Sequence, residues 1–218
     1  MTLVLDPDRT LALSYVPARI REAVGALWRL DVALGSVLAT GRDEMVSRIR
    51  LAWWREALEK LDRGPPPPEP ILQALAHHVL PRGIRGAELA EMEQGWVRML
   101  PSEPLTSDAL AGYAANRGGR LFLHSARLLG GHEEQLAVAG GEAWALIDLA
   151  RRSSSPADVA VALEAGRRVE IARAWPRPLR PLGMLAMLAR RDLGRSEWEE
   201  QGSPSRMLLM LRHRFTGH

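Results

Sequence analysis

Apolar positions recur along this chain at intervals of three and four residues, with almost no strict alternation, and that rhythm belongs to helices rather than strands. From Pro17 to Ala39, the residues Ile20, Val24, Leu27, Leu34 and Leu38 trace one stripe, the core-facing side of a long amphipathic helix. Asp43 to Leu61 repeats the rhythm through Met45, Ile49, Ala52, Trp53, Ala57, Leu58 and Leu61. In this register Trp53 belongs to the buried stripe and Trp54, about 100° further round, sits at its edge. Arg63-Gly64 and the run Pro65 to Pro68 end the helix, because consecutive prolines have no amide to donate and hold φ near the polyproline value. The same periodicity predicts helices over 70–80, 84–99, 107–129, 133–151, 157–172, 180–194 and 204–214.

Local signals support these boundaries. Ser107 reads as a cap, Ser203-Pro204 as a cap before a first-turn proline, and Gly130-Gly131 as a left-handed close. Trp175 to Pro181 reads as an extended connector. No segment reads as a strand and no internal repeat is visible, so the expectation is an all-α fold, one helical bundle over residues 1–218.

Composition narrows the chemistry. Apolar residues make up 46% of the chain, enough for a substantial core, and the 25% charged fraction is ordinary for a soluble globular protein. There is no cysteine, which removes disulfides, thiolate metal sites and cysteine nucleophiles together. Lys60 is the only lysine among 29 basic residues. Charge is uneven: residues 1–110 hold 13 basic and 15 acidic groups, a net of −2, and residues 111–218 hold 16 and 11, a net of +5. The basic C-terminal third offers anionic lipid a peripheral contact, and a solvated arginine surface is the plainer reading of the same residues. Nucleic acid is not expected as a partner, since no reading motif is present and acids are interspersed. Met1 to Thr10 contains Asp6 and Asp8 and lacks a basic segment before an apolar run, and no uninterrupted apolar stretch approaches the ~20 residues that cross a bilayer. The expected location is cytoplasmic, with peripheral membrane association as an addition.

Common catalytic signatures are missing. There is no Gly-rich phosphate loop and no Gly-x-Ser-x-Gly elbow. His132-Glu133-Glu134-Gln135-Leu136 lacks the second histidine of a zinc-protease motif, and His77 and His78, adjacent on a helix, point about 100° apart and cannot share a metal.

Two stretches go beyond generic helix. One runs from Asp8-Arg9 through Pro17, Arg21 and Ala26-Leu27-Trp28 to Ile49-Arg50-Leu51-Ala52-Trp53-Trp54-Arg55-Glu56-Ala57-Leu58. The other runs from Leu105-Thr106 through Tyr113, Gly118-Gly119 and Leu128-Leu129-Gly130 to Gly141-Glu142-Ala143-Trp144-Ala145-Leu146-Ile147. In this order they resemble the squalene/phytoene synthase family, and Leu179 to Leu193 and Ser205 to Phe215 fit its C-terminal helices more loosely. The resemblance implies an isoprenoid synthase-type helical bundle. Read from the residues alone, the tryptophan pair is one core and one boundary residue, and Gly118-Gly119 a close helix crossing.

Enzymes of that family condense two prenyl diphosphates head to head. Departure of a diphosphate is helped by divalent metal, and magnesium prefers carboxylate oxygens, which Asp residues at i and i+4 supply from one helix face. Set against the family pattern, the first acidic motif falls on Gly35-Ser36-Val37-Leu38-Ala39. The second falls near Asp148-Leu149-Ala150-Arg151-Arg152, with Arg152 and Pro156 where acids would stand. Independently of any alignment, no two of the 26 acidic residues are separated by four positions. No catalytic residue and no metal ligand is therefore assigned, and magnesium is expected only if the protein is an active synthase.

Asp31 and Asp148 remain as acids on otherwise apolar helices. They read either as a relict polar site, with Arg21 or Arg151 as partner, or as a buried salt bridge. Relict cavity candidates are Arg21, Asp31, Trp54, Tyr113, Asp148 and Arg151. The resemblance, strongest to the branch that contains the mitochondrial respiratory complex I assembly factor, implies a pseudoenzyme: a protein that binds an isoprenoid lipid or prenyl diphosphate, or a protein partner in respiratory-complex assembly. The alternative is an active head-to-head prenyl transferase with atypical metal ligation.

Overall fold

A computed structural model describes residues 4–41, 43–100, 105–195 and 197–218. Among them the chain is helical with no strand. Its α-helices are α1 (Pro7–Ser14), α2 (Ala18–Thr40), α3 (Glu44–Lys60), α4 (Pro70–His78), α5 (Gly86–Val97), α6 (Ser107–Tyr113), α7 (Arg120–Leu129), α8 (Glu134–Arg152), α9 (Pro156–Arg168), α10 (Arg180–Asp192) and α11 (Pro204–Thr216). The all-α expectation holds, and most predicted spans hold to within a few residues.

Several details differ. Helix α1 was not anticipated; Asp6 caps it by accepting from the Arg9 amide at 2.9 Å. The cap of α6 is Thr106 rather than Ser107, accepting from the Ala109 amide at 3.1 Å. Ser203 precedes α11 without a side-chain capping bond, and Pro204 supplies the preset first turn. Gly130 closes α7 in the left-handed conformation, φ 74°, as its position suggested.

The centre of the bundle is α2. Val24, Leu27, Trp28, Leu30, Leu34 and Val37 are fully buried, and the helix packs against α4, α5 and α7. By length and composition α2 could cross a membrane, with a mean hydropathy of 1.3, yet 61% of that window is buried inside the protein. It is the core helix.

Between α6 and α7 the chain forms a π-helical turn, Ala114–Gly119, that crosses α8 with backbone in contact with backbone. A Cβ at Gly118 would lie 2.0 Å from the Gly141 carbonyl oxygen, and one at Gly141 would lie 2.1 Å from that of Gly118. Only glycine at both positions permits this approach. The crossing fixes the height of Arg117, the residue before Gly118, against α8.

The register of α3 is a correction. Ser47, Leu51 and Leu58 are buried, Trp54 packs against the core, and this row faces α5. Met45, Ile49 and Trp53, expected in the core, are exposed by 63%, 62% and 47%, with Val46 exposed beside them. Positions 49 and 53 lie 160–200° around the helix from 51. The helix carries two apolar rows, and α5 covers the one that the tryptophan at 53 does not join.

Candidate functional site

Buried charge needs a partner or a strong reason to be there, and this molecule gathers it at one place. Asp31 on α2 is 1% exposed and Asp148 on α8 is 5% exposed. Each lies one helical turn before a position that the synthase pattern assigns to an acidic motif, Gly35 and Arg152. Between them stands Arg117, 2% exposed, delivered by the π-helical turn. Its Nε donates to Asp31 Oδ1 at 2.8 Å, and its Nη2 donates to Asp31 Oδ2 at 3.0 Å and to Asp148 Oδ2 at 2.7 Å. Its Nη1 donates to the Tyr113 hydroxyl, one turn earlier.

Two further arginines complete the arrangement. Arg9 on α1 donates to Asp31 Oδ2 at 2.9 Å and to Asp6. Arg152, at the end of α8, donates from Nε to Asp148 Oδ1 at 2.9 Å. Aromatic faces enclose the central guanidinium: its carbon is 4.4 Å from the Trp96 ring centre, 4.8 Å from that of Trp144 and 5.3 Å from that of Tyr113. Desolvated cation–π contacts of this kind contribute about 2 kcal/mol.

The charges hold one another in place. Burial would raise the Asp148 carboxyl, but Arg117, Arg152 and Arg9 outweigh it and hold it at about 2. Burial works against the Arg117 charge, and Asp31, Tyr113 and Asp148 overcome it, raising that group well above its ordinary value. Arg9 is raised in the same way, chiefly by Asp31. Burial also raises the Tyr113 phenol, with Arg117 opposing and the two carboxylates assisting. Tyr113 therefore keeps its proton.

Above this floor lies a cavity of about 780 Å³, within the ~300–1,000 Å³ common for small-molecule sites. From α2 it is lined by Val32, Gly35, Ser36, Leu38, Ala39 and Thr40, from α5 and the residues after it by Trp96 and Met99, and from α8 and the residue that follows by Leu149, Arg152 and Ser153. Asp31, Arg9, Tyr113 and Arg117 form the polar end. Among the described residues, no group of three or more His, Asp or Glu is placed to hold a metal ion.

Residues 5–167 match the family model described as squalene/phytoene synthase. The chain belongs to the squalene/phytoene synthase family. No curated protein and no solved structure matches the chain. The all-α bundle is the fold of this family.

Of the residues singled out from the sequence, Asp31 and Tyr113 line the cavity, and Asp148 joins them through Arg117. The site does not include the other three. Arg21 binds the carbonyl oxygens of Ser14 and Val16 at 2.9–3.1 Å and ties α1 to α2. Trp54 packs on the core beneath α3. Arg151 faces a separate buried cluster, donating to Asp192 at 3.2 Å, where Arg206 also joins Asp192 at 2.8 Å and Asp8 at 2.9 Å. Neither Arg21 nor Arg151 is the partner of Asp31 or Asp148, because α8 turns Arg151 toward α10 while Arg117 already bridges the acids. Arg9, Trp96, Arg117 and Trp144 are the site residues that sequence reasoning missed. The available signal was indirect: two acids on apolar helices demand a cation, and Arg117 is the sole charge between Tyr113 and Gly119.

Proposed function

We propose that this protein is a non-catalytic member of the squalene/phytoene synthase family whose cavity holds an isoprenoid lipid without condensing it. The observation that carries this reading is the state of the two acids: Asp31 and Asp148 are both engaged by Arg117, an internal cation lying between the two helices where the family pattern places its acidic motifs. A divalent ion there would have to displace a guanidinium that is 2% exposed and already bonded to both acids. The motif positions themselves point the same way. Gly35 has no side-chain oxygen to offer, and a Cβ there would lie 2.8 Å from Trp96 Cη2, so the indole occupies the space an aspartate would need. Arg152 stands at the second motif, and Pro156 begins α9. Magnesium asks for several carboxylate or water oxygens in near-octahedral array, and these residues do not fit it.

Manganese, which reports its own coordination by electron paramagnetic resonance, tests this directly. Titrated with geranylgeranyl diphosphate present, it should show no saturable protein-bound population; a tight bound population lost in Asp31→Asn or Asp148→Asn overturns the reading.

A role in assembling a respiratory complex is the second reading. It is favoured by the N-terminal sequence pattern and by the exposed apolar row Met45, Val46, Ile49 and Trp53 on α3, a surface that a protein partner would cover. A strain lacking the protein should then have less assembled complex, restored by the wild type and not by Ile49→Glu. Normal complex levels in that strain contradict it.

A further inference from the structure

The balance of charge on the cavity floor says what the cavity admits. We propose that its ligand is an uncharged isoprenoid whose single hydroxyl or carbonyl oxygen accepts a hydrogen bond from Tyr113, and that a prenyl diphosphate is disfavoured; this rests on the reading of the cavity as an isoprenoid site.

Three arginines reach the cavity, Arg9, Arg117 and Arg152, and three carboxylates answer them, Asp6, Asp31 and Asp148, at 2.5–2.9 Å. A diphosphate brings several negative charges at once. To bind it on the cavity floor, the buried Arg9 and Arg117 guanidiniums would have to leave Asp31, which would then be a buried, unpaired charge. A neutral ligand requires no such rearrangement.

Tyr113 is the second observation. It is 1% exposed and lines the cavity. Its oxygen accepts from Arg117, which polarises the phenol. Among the described residues, no acceptor takes its proton. A buried hydroxyl with an unused donor, at the polar end of an otherwise largely apolar cavity, marks where a ligand oxygen sits. The remainder of the wall, Val32, Leu38, Met99 and Leu149, suits a hydrocarbon chain.

Binding without magnesium tests this. Intrinsic tryptophan fluorescence, to which Trp96 in the cavity wall contributes, is followed while the full chain is titrated with geranylgeraniol, squalene or geranylgeranyl diphosphate at one fixed detergent concentration. Geranylgeraniol should bind at least about tenfold more tightly than the diphosphate. Tyr113→Phe should weaken geranylgeraniol by roughly three- to tenfold, the worth of one hydrogen bond, and leave squalene unchanged. Equal or tighter binding of the diphosphate, no saturable binding of geranylgeraniol, or equal effects of Tyr113→Phe on both neutral probes overturns the inference. Should Tyr113→Phe fail to fold, the wild-type comparison of alcohol with diphosphate still decides. A protein that prefers the diphosphate yet binds no manganese would sink this inference and leave the non-catalytic reading standing.

Discussion

Replacing Arg117 by methionine removes the cation and keeps most of the volume. The change deletes three charge-assisted hydrogen bonds to two carboxylates and one bond to Tyr113, and strips three aromatic faces of their guanidinium. Arg9 still partners Asp31 and Arg152 still partners Asp148, so the acids are not wholly abandoned. Removing one member of a buried ion network costs about 3–5 kcal/mol, mostly through the charge left behind, against a total of about 5–15 kcal/mol for a domain. Urea denaturation followed by circular dichroism measures this. The pH dependence identifies the mechanism. In the wild type the Asp148 carboxyl is depressed to about 2, so its contribution is present above the ordinary carboxylate range and is lost only as pH falls through 4 toward 2. Without Arg117, burial dominates and Asp148 titrates higher than in the wild type. The deficit of Arg117→Met should therefore be larger at pH 8 than at pH 4.5, and Arg117→Met with Asp148→Asn should recover part of it. A loss below about 1 kcal/mol, or a deficit independent of pH, would refute the argument that buried carboxylates set its size.

Four other outcomes follow from the same structure. Trp53→Ala should change stability by less than about 1 kcal/mol, because its ring is half exposed, while Trp54→Ala should cost about 2 kcal/mol in urea melts; the reverse order would restore the register first expected from the sequence. Gly118→Ala should cost about 3 kcal/mol or more, since its methyl would meet the Gly141 carbonyl, and a near-neutral result would mean that the helices do not touch there. Gly35→Asp should destabilise by displacing Trp96 and should not create prenyl transfer; a stable variant with new activity would contradict the steric argument. Among the described residues, neither ring nitrogen of the buried His124 and His213 has a hydrogen-bond partner, and burial holds both groups at about 4, with Arg127 and Arg120 adding at His124 and Arg180 at His213. Their folded values lie below the unfolded 6.5, so stability should be full above pH 6.5 and fall by up to about 3 kcal/mol for each as pH drops to 4; His213→Leu should flatten that slope in thermal melts.

The helices were legible because their signal is local: periodicity, prolines and terminal glycines act within a few residues of one another. Asp31 and Asp148 were legible as anomalies on apolar stripes. Their partner was not, since Arg117 lies 86 positions from Asp31 and 31 from Asp148, and no local pattern distinguishes it from the 27 other arginines in the chain. Its selection depends on the Gly118–Gly141 crossing, a property of two helices together. Arg21 and Arg151 were plausible partners on charge and wrong on direction. The α3 register failed for a related reason. Ser47, Leu51 and Leu58 form a buried row, joined by the partly buried Trp54, that a serine disguises, and Met45, Ile49 and Trp53 form a more apolar row that stays largely exposed. Hydrophobicity ranked the second row first, and packing chose the other. In the basic C-terminal third, Arg206 is buried, and Arg180 and Arg191 bind carbonyls around α11.

The most direct test of the central claim, that the acids bridged by Arg117 no longer serve prenyl-diphosphate chemistry, is pyrophosphate release. The full chain is incubated with millimolar magnesium and farnesyl or geranylgeranyl diphosphate, and pyrophosphate and lipid products are quantified against a heat-killed control. The account predicts release no greater than that control and no condensed hydrocarbon; sustained magnesium-dependent release, abolished by Asp31→Asn or Asp148→Asn, would contradict it.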